Sequence, residues 1–225
     1  MTKARIATFC LALGVAACSS APPVADWQVN AKASLDRAIA EYLAGDTRAS
    51  GTDFERARSE IARTGRIDLL ARAELRMCAA QVASLVFEPC AGFEKLRVDA
   101  PATERAYADY LAGSVQPDAV ALLPTAQRGV AGKSASDQAA VAAVKEIEDP
   151  LSRLVGAGVL FQSNRATPEL LSLATETASA QGWRRPLLAW LGVQRMRAEK
   201  AGDGDAAERL RRQIEIVEQT AQQPR

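Results

Sequence analysis

The chain has 225 residues with 28 basic and 27 acidic side chains, so its near-zero net charge gives no global field favouring nucleic acid or anionic lipid. It contains no histidine, which removes the commonest general base near neutral pH, the commonest metal ligand and every Ser-His or Cys-His dyad. We therefore expect no metal, no cofactor, no nucleic-acid partner and no enzymatic activity.

The first 17 residues have the organisation of a removable signal peptide. Lys3 and Arg5 precede an apolar run, residues 6–17, which is shorter than the roughly 20 helical residues that span a bilayer. The run ends in Val-Ala-Ala-Cys at residues 15–18, which resembles the lipobox of bacterial lipoproteins. The resemblance implies cleavage before Cys18, a diacylglyceryl group on its thiol and an acyl chain on its amine, which together anchor stably. An ordinary secretory signal cut at the same bond is the alternative.

The residue after Cys18 bears on the destination of the protein. In many Gram-negative bacteria, an aspartate at this position retains lipoproteins in the inner membrane, whereas this chain has Ser19. The resemblance therefore implies the periplasmic face of the outer membrane. Residues 18–25 would form the lipidated cysteine and a short proline-bearing linker. Residues 26–222 would form the folded domain, which is long enough to bury a core.

Cleavage would also remove Cys10, leaving Cys78 and Cys90 as a pair in an oxidising compartment. Their separation of twelve residues suits a loop that closes back on a helix. We predict a disulfide, with a stabilisation of roughly 3 kcal/mol in the loop-entropy model. Two buried free thiols are the alternative.

Helical periodicity covers most of the remaining chain, because apolar residues recur at spacings of three and four. Gly, Pro and Asp mark the ends of these segments. Helices are predicted over residues 26–44, 50–64, 67–86, 91–96, 101–112, 117–123, 137–148, 151–162, 167–181, 183–201 and 205–220. Residues 129–136 are predicted to form a loop. The run 154–161 is apolar on every side, so we expect the most buried helix there, with glycines permitting close helix approach.

An internal repeat relates two of these helices. Residues 35–45 read LDRAIAEYLAG and residues 103–113 read TERAYADYLAG, with seven of eleven positions identical. The offset of 68 residues is twice the period of about 34 residues of tetratricopeptide repeats, and residues 198–210 have a similar helix–turn–helix junction. The chain resembles that family, which implies an all-α fold of antiparallel helical hairpins stacked into a concave, protein-binding surface. A generic antiparallel helical array is the alternative.

One candidate binding face lies near the C-terminus. Two tryptophans seven residues apart share a helix face and lie near several arginines, which could bind an acidic peptide or a polyanion. The residues of this candidate face are Trp183, Arg184, Arg185, Trp190 and Arg195. The alternative is a pair of core tryptophans flanked by arginines whose stems cover apolar surface.

One further pattern partly resembles a nucleotide-binding motif. Residues 129–134 end like a phosphate-binding loop, but residue 127 is glutamine instead of the required glycine and no strand precedes it.

Taken together, these features predict an outer-membrane-anchored periplasmic lipoprotein that acts as a scaffold or protein-binding module. An accessory role in pilus or secretion assembly is one alternative. A carboxylate-based cell-wall enzyme is another, and it would need two acids with raised pKa values facing each other in a cleft.

Overall fold

The computed structural model describes residues 25–132 and 136–219, so Cys18 and the predicted signal lie outside the described residues. Within these ranges every regular element is a helix and the helices pack against one another, which confirms the predicted all-α fold. The α-helices are α1 (Asp26–Ala44), α2 (Thr47–Ala62), α3 (Ile67–Ala83), α4 (Ala91–Glu94), α5 (Ala102–Leu111), α6 (Thr125–Ala131), α7 (Asp137–Lys145), α8 (Pro150–Gln162), α9 (Pro168–Ala180), α10 (Arg184–Ala201) and α11 (Gly204–Gln219).

Short turns pair consecutive helices into hairpins, as in the α1–α2, α9–α10 and α10–α11 connections. The first turn illustrates the local signals. Gly45 adopts φ 95°, a left-handed conformation that favours glycine, and ends α1. The carboxylate of the next residue, Asp46, accepts a hydrogen bond from the Ala49 amide at 2.9 Å and so begins α2. Two residues therefore reverse the chain between helices.

Helix α3 lies between two hydrophobic clusters, and nine of its 17 residues are buried. One of its faces, including Leu75 and Val82, belongs to the larger cluster formed with α5, α8 and α10. The opposite face, including Ala73 and Met77, belongs to a smaller cluster formed with α1 and α2. Because both faces are committed to packing, the polar residues of α3 are confined to narrow stripes between the two clusters.

Helix α8 is the most consistently buried element, as its apolar run predicts. Every residue from Leu154 to Leu160 is buried. A Cβ atom added to Gly158 would lie only 2.4 Å from the carbonyl oxygen of Val82 on α3, so the predicted close helix approach is confirmed. The backbones of α3 and α8 meet at this point because no side chain separates them.

The segment between α5 and α7 differs from the prediction. Pro117–Leu122 forms a 3₁₀ helix. Pro124 then precedes α6, which continues through Gly129, where the sequence predicts the start of a loop. The ideal Cβ position of Gly129 lies 3.4 Å from the Ala143 side chain, so this glycine packs closely on α7. Tertiary packing thus overrides the low helix propensity of glycine here.

Candidate functional site

The structure does not bring the five residues of the predicted C-terminal binding face together as one exposed surface. Trp190 is 0% exposed, and its indole Nε1–H donates to the Ala83 carbonyl oxygen at 3.1 Å. Its ring also meets Phe161 edge to face at 5.8 Å between centroids. Trp190 is therefore a core residue, as the alternative interpretation of this segment held, and cannot contact a partner.

The neighbouring arginines bind other parts of the same molecule. Arg185 donates from Nε to the Tyr42 carbonyl oxygen at 2.7 Å and from Nη2 to the Thr47 hydroxyl at 2.7 Å. Its guanidinium also lies 4.3 Å from the centroid of the Tyr42 ring. Arg184 lies against Gly45, whose ideal Cβ position is 2.6 Å from the Arg184 Nη2 atom. These contacts dock α10 on the turn between α1 and α2.

Arg195 and Trp183 occupy separate positions. Arg195 pairs with Glu199, at 3.6 Å, one turn further along α10. Trp183 precedes α10 and packs against both hydrophobic clusters. The prediction of a single binding face is thus corrected, because the helical period directs Trp190 inward and the chain folds back to give the arginines internal acceptors.

The predicted disulfide is present between Cys78 on α3 and Cys90 immediately before α4, with a Cα–Cα distance of 5.9 Å. A cavity of about 240 Å³ adjoins the bridge and is lined in part by Arg97. The guanidinium of Arg97 pairs with Glu94 at 2.7 Å and with Asp109 at 2.9 Å. The bridge therefore ties the loop after α3 to a part of the surface that ion pairs also fix.

None of the helices in the described ranges is both long and apolar enough to cross a membrane. In the same part of the chain, no group of three or more Cys, Asp or Glu side chains is arranged to hold a metal ion.

Two cavities flank the polar stripe of α3, and together they form what we call the arginine cleft. The first cavity is about 440 Å³ and lies between α3, α5 and the Pro117–Leu122 segment. The second is about 250 Å³ and lies between α1, α2 and α3. Arg72 and Arg76 line both cavities, so these two side chains separate the two halves of the cleft. They are four residues apart and therefore share one side of α3.

The two arginines reach acids on opposite neighbours. Arg72 donates from Nε and Nη2 to Glu104 Oε1 on α5, at 3.1 and 2.8 Å. Arg76 donates from Nη2 to Asp36 Oδ1 on α1 at 2.9 Å. Asp36 also accepts from Lys32 at 2.5 Å. Because a guanidinium carries five N–H donors, both arginines keep donors that these contacts do not use.

Ion pairing also determines the charge state of these acids. Burial raises the pKa of Glu104, but hydrogen bonds from Thr103 and Arg72 outweigh it and leave the pKa below the ordinary value. Burial likewise raises the pKa of Asp36, and hydrogen bonds from Lys32 and Arg76 again leave it lowered. Both acids are therefore ionised near neutral pH, and the ion pairs are intact.

The floor of the larger cavity is a buried polar network. The Tyr110 hydroxyl donates to Gln127 Oε1 at 2.6 Å, and Gln127 Nε2 donates to the Ser152 carbonyl oxygen at 3.0 Å. Tyr107 lines the cavity and stacks on Tyr110 at 6.1 Å between ring centroids, while its hydroxyl has no hydrogen-bond partner among the described residues. Burial raises the pKa of Tyr107, so the hydroxyl stays neutral and can donate or accept.

Apolar residues complete the cleft. Leu75 and Leu123 are buried in the wall of the larger half, and Leu122 is 41% exposed at its edge. Trp27 and Leu35 line the smaller half. The arrangement can therefore bind apolar groups on both sides of a cationic ridge.

Sequence reasoning missed this site. The available signal was the pair Arg72 and Arg76, one turn apart on a largely apolar helix. A second signal was the charge shared by the equivalent repeat positions Asp36 and Glu104. Neither signal identified the cleft, because its walls come from segments far apart in the chain.

One further acid bears on the alternative of carboxylate catalysis. Burial raises the pKa of Glu74, which is 5% exposed. Its carboxylate pairs with Arg58 at 2.9 Å, and the same guanidinium pairs with Glu55 at 3.0 Å. Gly92 packs directly on the carboxylate, because a Cβ atom at that position would overlap it. The Arg58 guanidinium thus lies between the carboxylates of Glu74 and Glu55. In a catalytic pair of carboxylates, substrate or water would occupy that space.

Comparisons with protein-family models, with curated proteins and with solved structures find no match to this chain.

Proposed function

We propose that this protein is a lipid-anchored, protein-binding module on the periplasmic face of the outer membrane. The observation that supports binding is the arginine cleft, where apolar surface and unused guanidinium donors meet at the surface of the fold. The larger half, about 440 Å³, has the size of pockets that hold ligand groups, generally about 300–1,000 Å³. The anchor is proposed from the lipobox resemblance at residues 15–18.

The chemistry of the cleft favours binding over turnover. Its acids are ion-paired and their pKa values are lowered, which suits charge recognition and disfavours general acid catalysis at neutral pH. Its arginines keep their charge at every physiological pH. The exposed Leu122 adds an apolar contact at the rim. Binding of a partner would use all these groups without requiring a proton transfer.

The proposed anchor would keep the cleft close to the membrane. Helix α1 begins at Asp26, eight residues after Cys18, and a fully extended chain of that length reaches at most about 29 Å. Trp27, on the first turn of α1, lines the smaller half of the cleft. A partner bound there would be a protein of the periplasm or of the membrane itself.

Two experiments test this function separately. Cys18→Ser should abolish labelling of the protein by an alkyne fatty acid and release it from the membrane fraction, and unchanged labelling would refute the anchor. For binding, a photo-crosslinking amino acid at Leu122 should give a discrete crosslinked product in living cells. The same amino acid at Val98, which is 84% exposed outside the cleft, is the control. Identical products from both positions would contradict binding at the cleft.

A further inference from the structure

The arginine cleft has two apolar halves separated by cations, and this layout specifies the chemistry of its ligand. The charged residues that line it are Lys32, Arg72, Arg76 and Glu104, three cations against one carboxylate. Asp36 lines neither cavity but pairs with Lys32 and Arg76. Counting Asp36, the cleft carries one net positive charge and is complementary to an acidic group.

The two arginines can bind an acidic group without losing their present partners. Arg76 uses only Nη2 in its hydrogen bond to Asp36, and its side chain is 43% exposed. Arg72 directs Nε and Nη2 to a single oxygen of Glu104, and its side chain is 61% exposed. Each guanidinium therefore keeps unused donors on an exposed side chain, and carboxylates from a ligand could accept from them.

The spacing of the two halves favours an extended peptide. Packed helices lie about 8–10 Å apart, so the grooves on the two sides of α3 are separated by about the same distance. In a polyproline-II-like chain, residues three apart lie about 9 Å from each other on the same side. Two apolar side chains at positions i and i+3 could therefore enter the two halves together. The residues between them would cross the ridge of Arg72 and Arg76.

We propose that the ligand of this cleft is an internal extended segment of a partner protein, with acidic residues between two apolar residues three positions apart. This inference rests on the proposed protein-binding function and specifies its partner. One apolar side chain occupies the half lined by Leu75 and Leu122, and the other occupies the half lined by Leu35. The intervening carboxylates accept hydrogen bonds from the arginines, and charge-assisted bonds of this type are stronger than neutral ones.

The test measures peptide binding by the full chain purified in detergent, so it does not depend on lipidation or location. The probe is a fluorescein-labelled Gly-Leu-Asp-Asp-Leu-Gly peptide amide, followed by fluorescence anisotropy. We expect saturable binding that weakens about tenfold when both aspartates become asparagine, and binding that is lost when both leucines become glycine. Equal affinity of the aspartate and asparagine peptides, or no saturable binding of the aspartate peptide up to millimolar concentration, would overturn the proposal.

Two pairs of variants assign the binding to the cleft. Arg76→Gln should reduce the preference for aspartate over asparagine, because one of the two guanidiniums of the ridge is lost. Asp36 stays paired in this variant, since it keeps Lys32 as a partner. Arg56→Gln is the matched control, since Asp53 keeps Arg37 in the same way, and it should leave the preference intact. Identical behaviour of these two variants would overturn the proposal.

The second pair changes an apolar contact. Leu122→Ser should weaken the aspartate peptide several-fold, whereas Val98→Ser should have no effect. Circular dichroism establishes that each variant is folded.

Sedimentation of the unliganded chain tests whether a second copy occupies the cleft. If the chain forms a dimer and Leu122→Ser dissociates it, the cleft is an interface between two copies of this chain, and the proposal is overturned. If the peptide tests fail while crosslinking from position 122 succeeds in cells, the binding function stands and only the ligand chemistry is wrong.

Discussion

The close contact of α3 with α8 makes Gly158 the glycine whose substitution is most informative for the fold. In an isolated helix, replacing glycine by alanine stabilises by roughly 0.5–1 kcal/mol, because alanine loses less backbone entropy. At position 158 the added Cβ atom would lie 2.4 Å from the Val82 carbonyl oxygen and 2.9 Å from Val82 Cγ1. The first of these atoms belongs to the backbone, so a rotamer change cannot relieve the overlap. Helices α3 and α8 would have to separate.

We expect Gly158→Ala to lower the free energy of unfolding by about 1–3 kcal/mol, the usual cost of overpacking a core. Gly192→Ala is the matched control, because Gly192 is also inside a helix but has no atom within 4 Å of its ideal Cβ position. It should be neutral or stabilise by up to about 1 kcal/mol. Urea unfolding followed by circular dichroism measures both. Equal effects of the two substitutions would refute the close approach of α3 and α8.

The remaining predictions concern one acid and the disulfide. Burial raises the pKa of Glu74 in the folded state, so the unfolded chain releases the Glu74 proton at a lower pH than the folded protein does. The contribution of Glu74 to the free energy of unfolding therefore falls as the pH rises through and above the ordinary pKa of a glutamate. The stability of Glu74→Gln relative to the unmodified protein should therefore increase between pH 4 and pH 7 in urea titrations, and a decrease would contradict the buried site. Cys78 and Cys90 should resist alkylation in intact-mass measurements until reduction, and replacing both by alanine should cost about 3 kcal/mol.

Local signals predicted the helices well where one residue sets a boundary. Thr167 and Pro168 predicted a helix start, and the Thr167 hydroxyl accepts from the Leu170 amide at 3.2 Å at the start of α9. The apolar run in α8 predicted its burial in the same way, because a helix without a polar face has no side to expose. Such features depend on residues that are close in the chain, so the local sequence is sufficient to predict them.

Features that depend on packing partners were missed or misplaced. Gly129 is helical because α7 packs on it, and the sequence around residue 129 carries no sign of α7. Trp190 and Arg185 have the composition of a binding face, but their acceptors are the backbone carbonyls of Ala83 and Tyr42, more than 100 residues away. Every residue has a backbone carbonyl, so no sequence pattern indicates which carbonyls accept these hydrogen bonds.

The internal repeat connects the sequence to the arginine cleft. Its two copies lie in α1 and α5, which pack on α3 from opposite sides. Asp36 and Glu104 occupy the same position in the two copies, and each accepts from an arginine of α3, Arg76 and Arg72 respectively. These arginines are one helical turn apart, so the two copies deliver their acids to neighbouring positions on one side of α3. The repeat thus supplies one ion pair to each side of the arginine ridge, and the central charge of the proposed ligand matches this shared feature. The apolar linings of the two halves differ, because Leu35 of the first copy corresponds to Thr103 of the second.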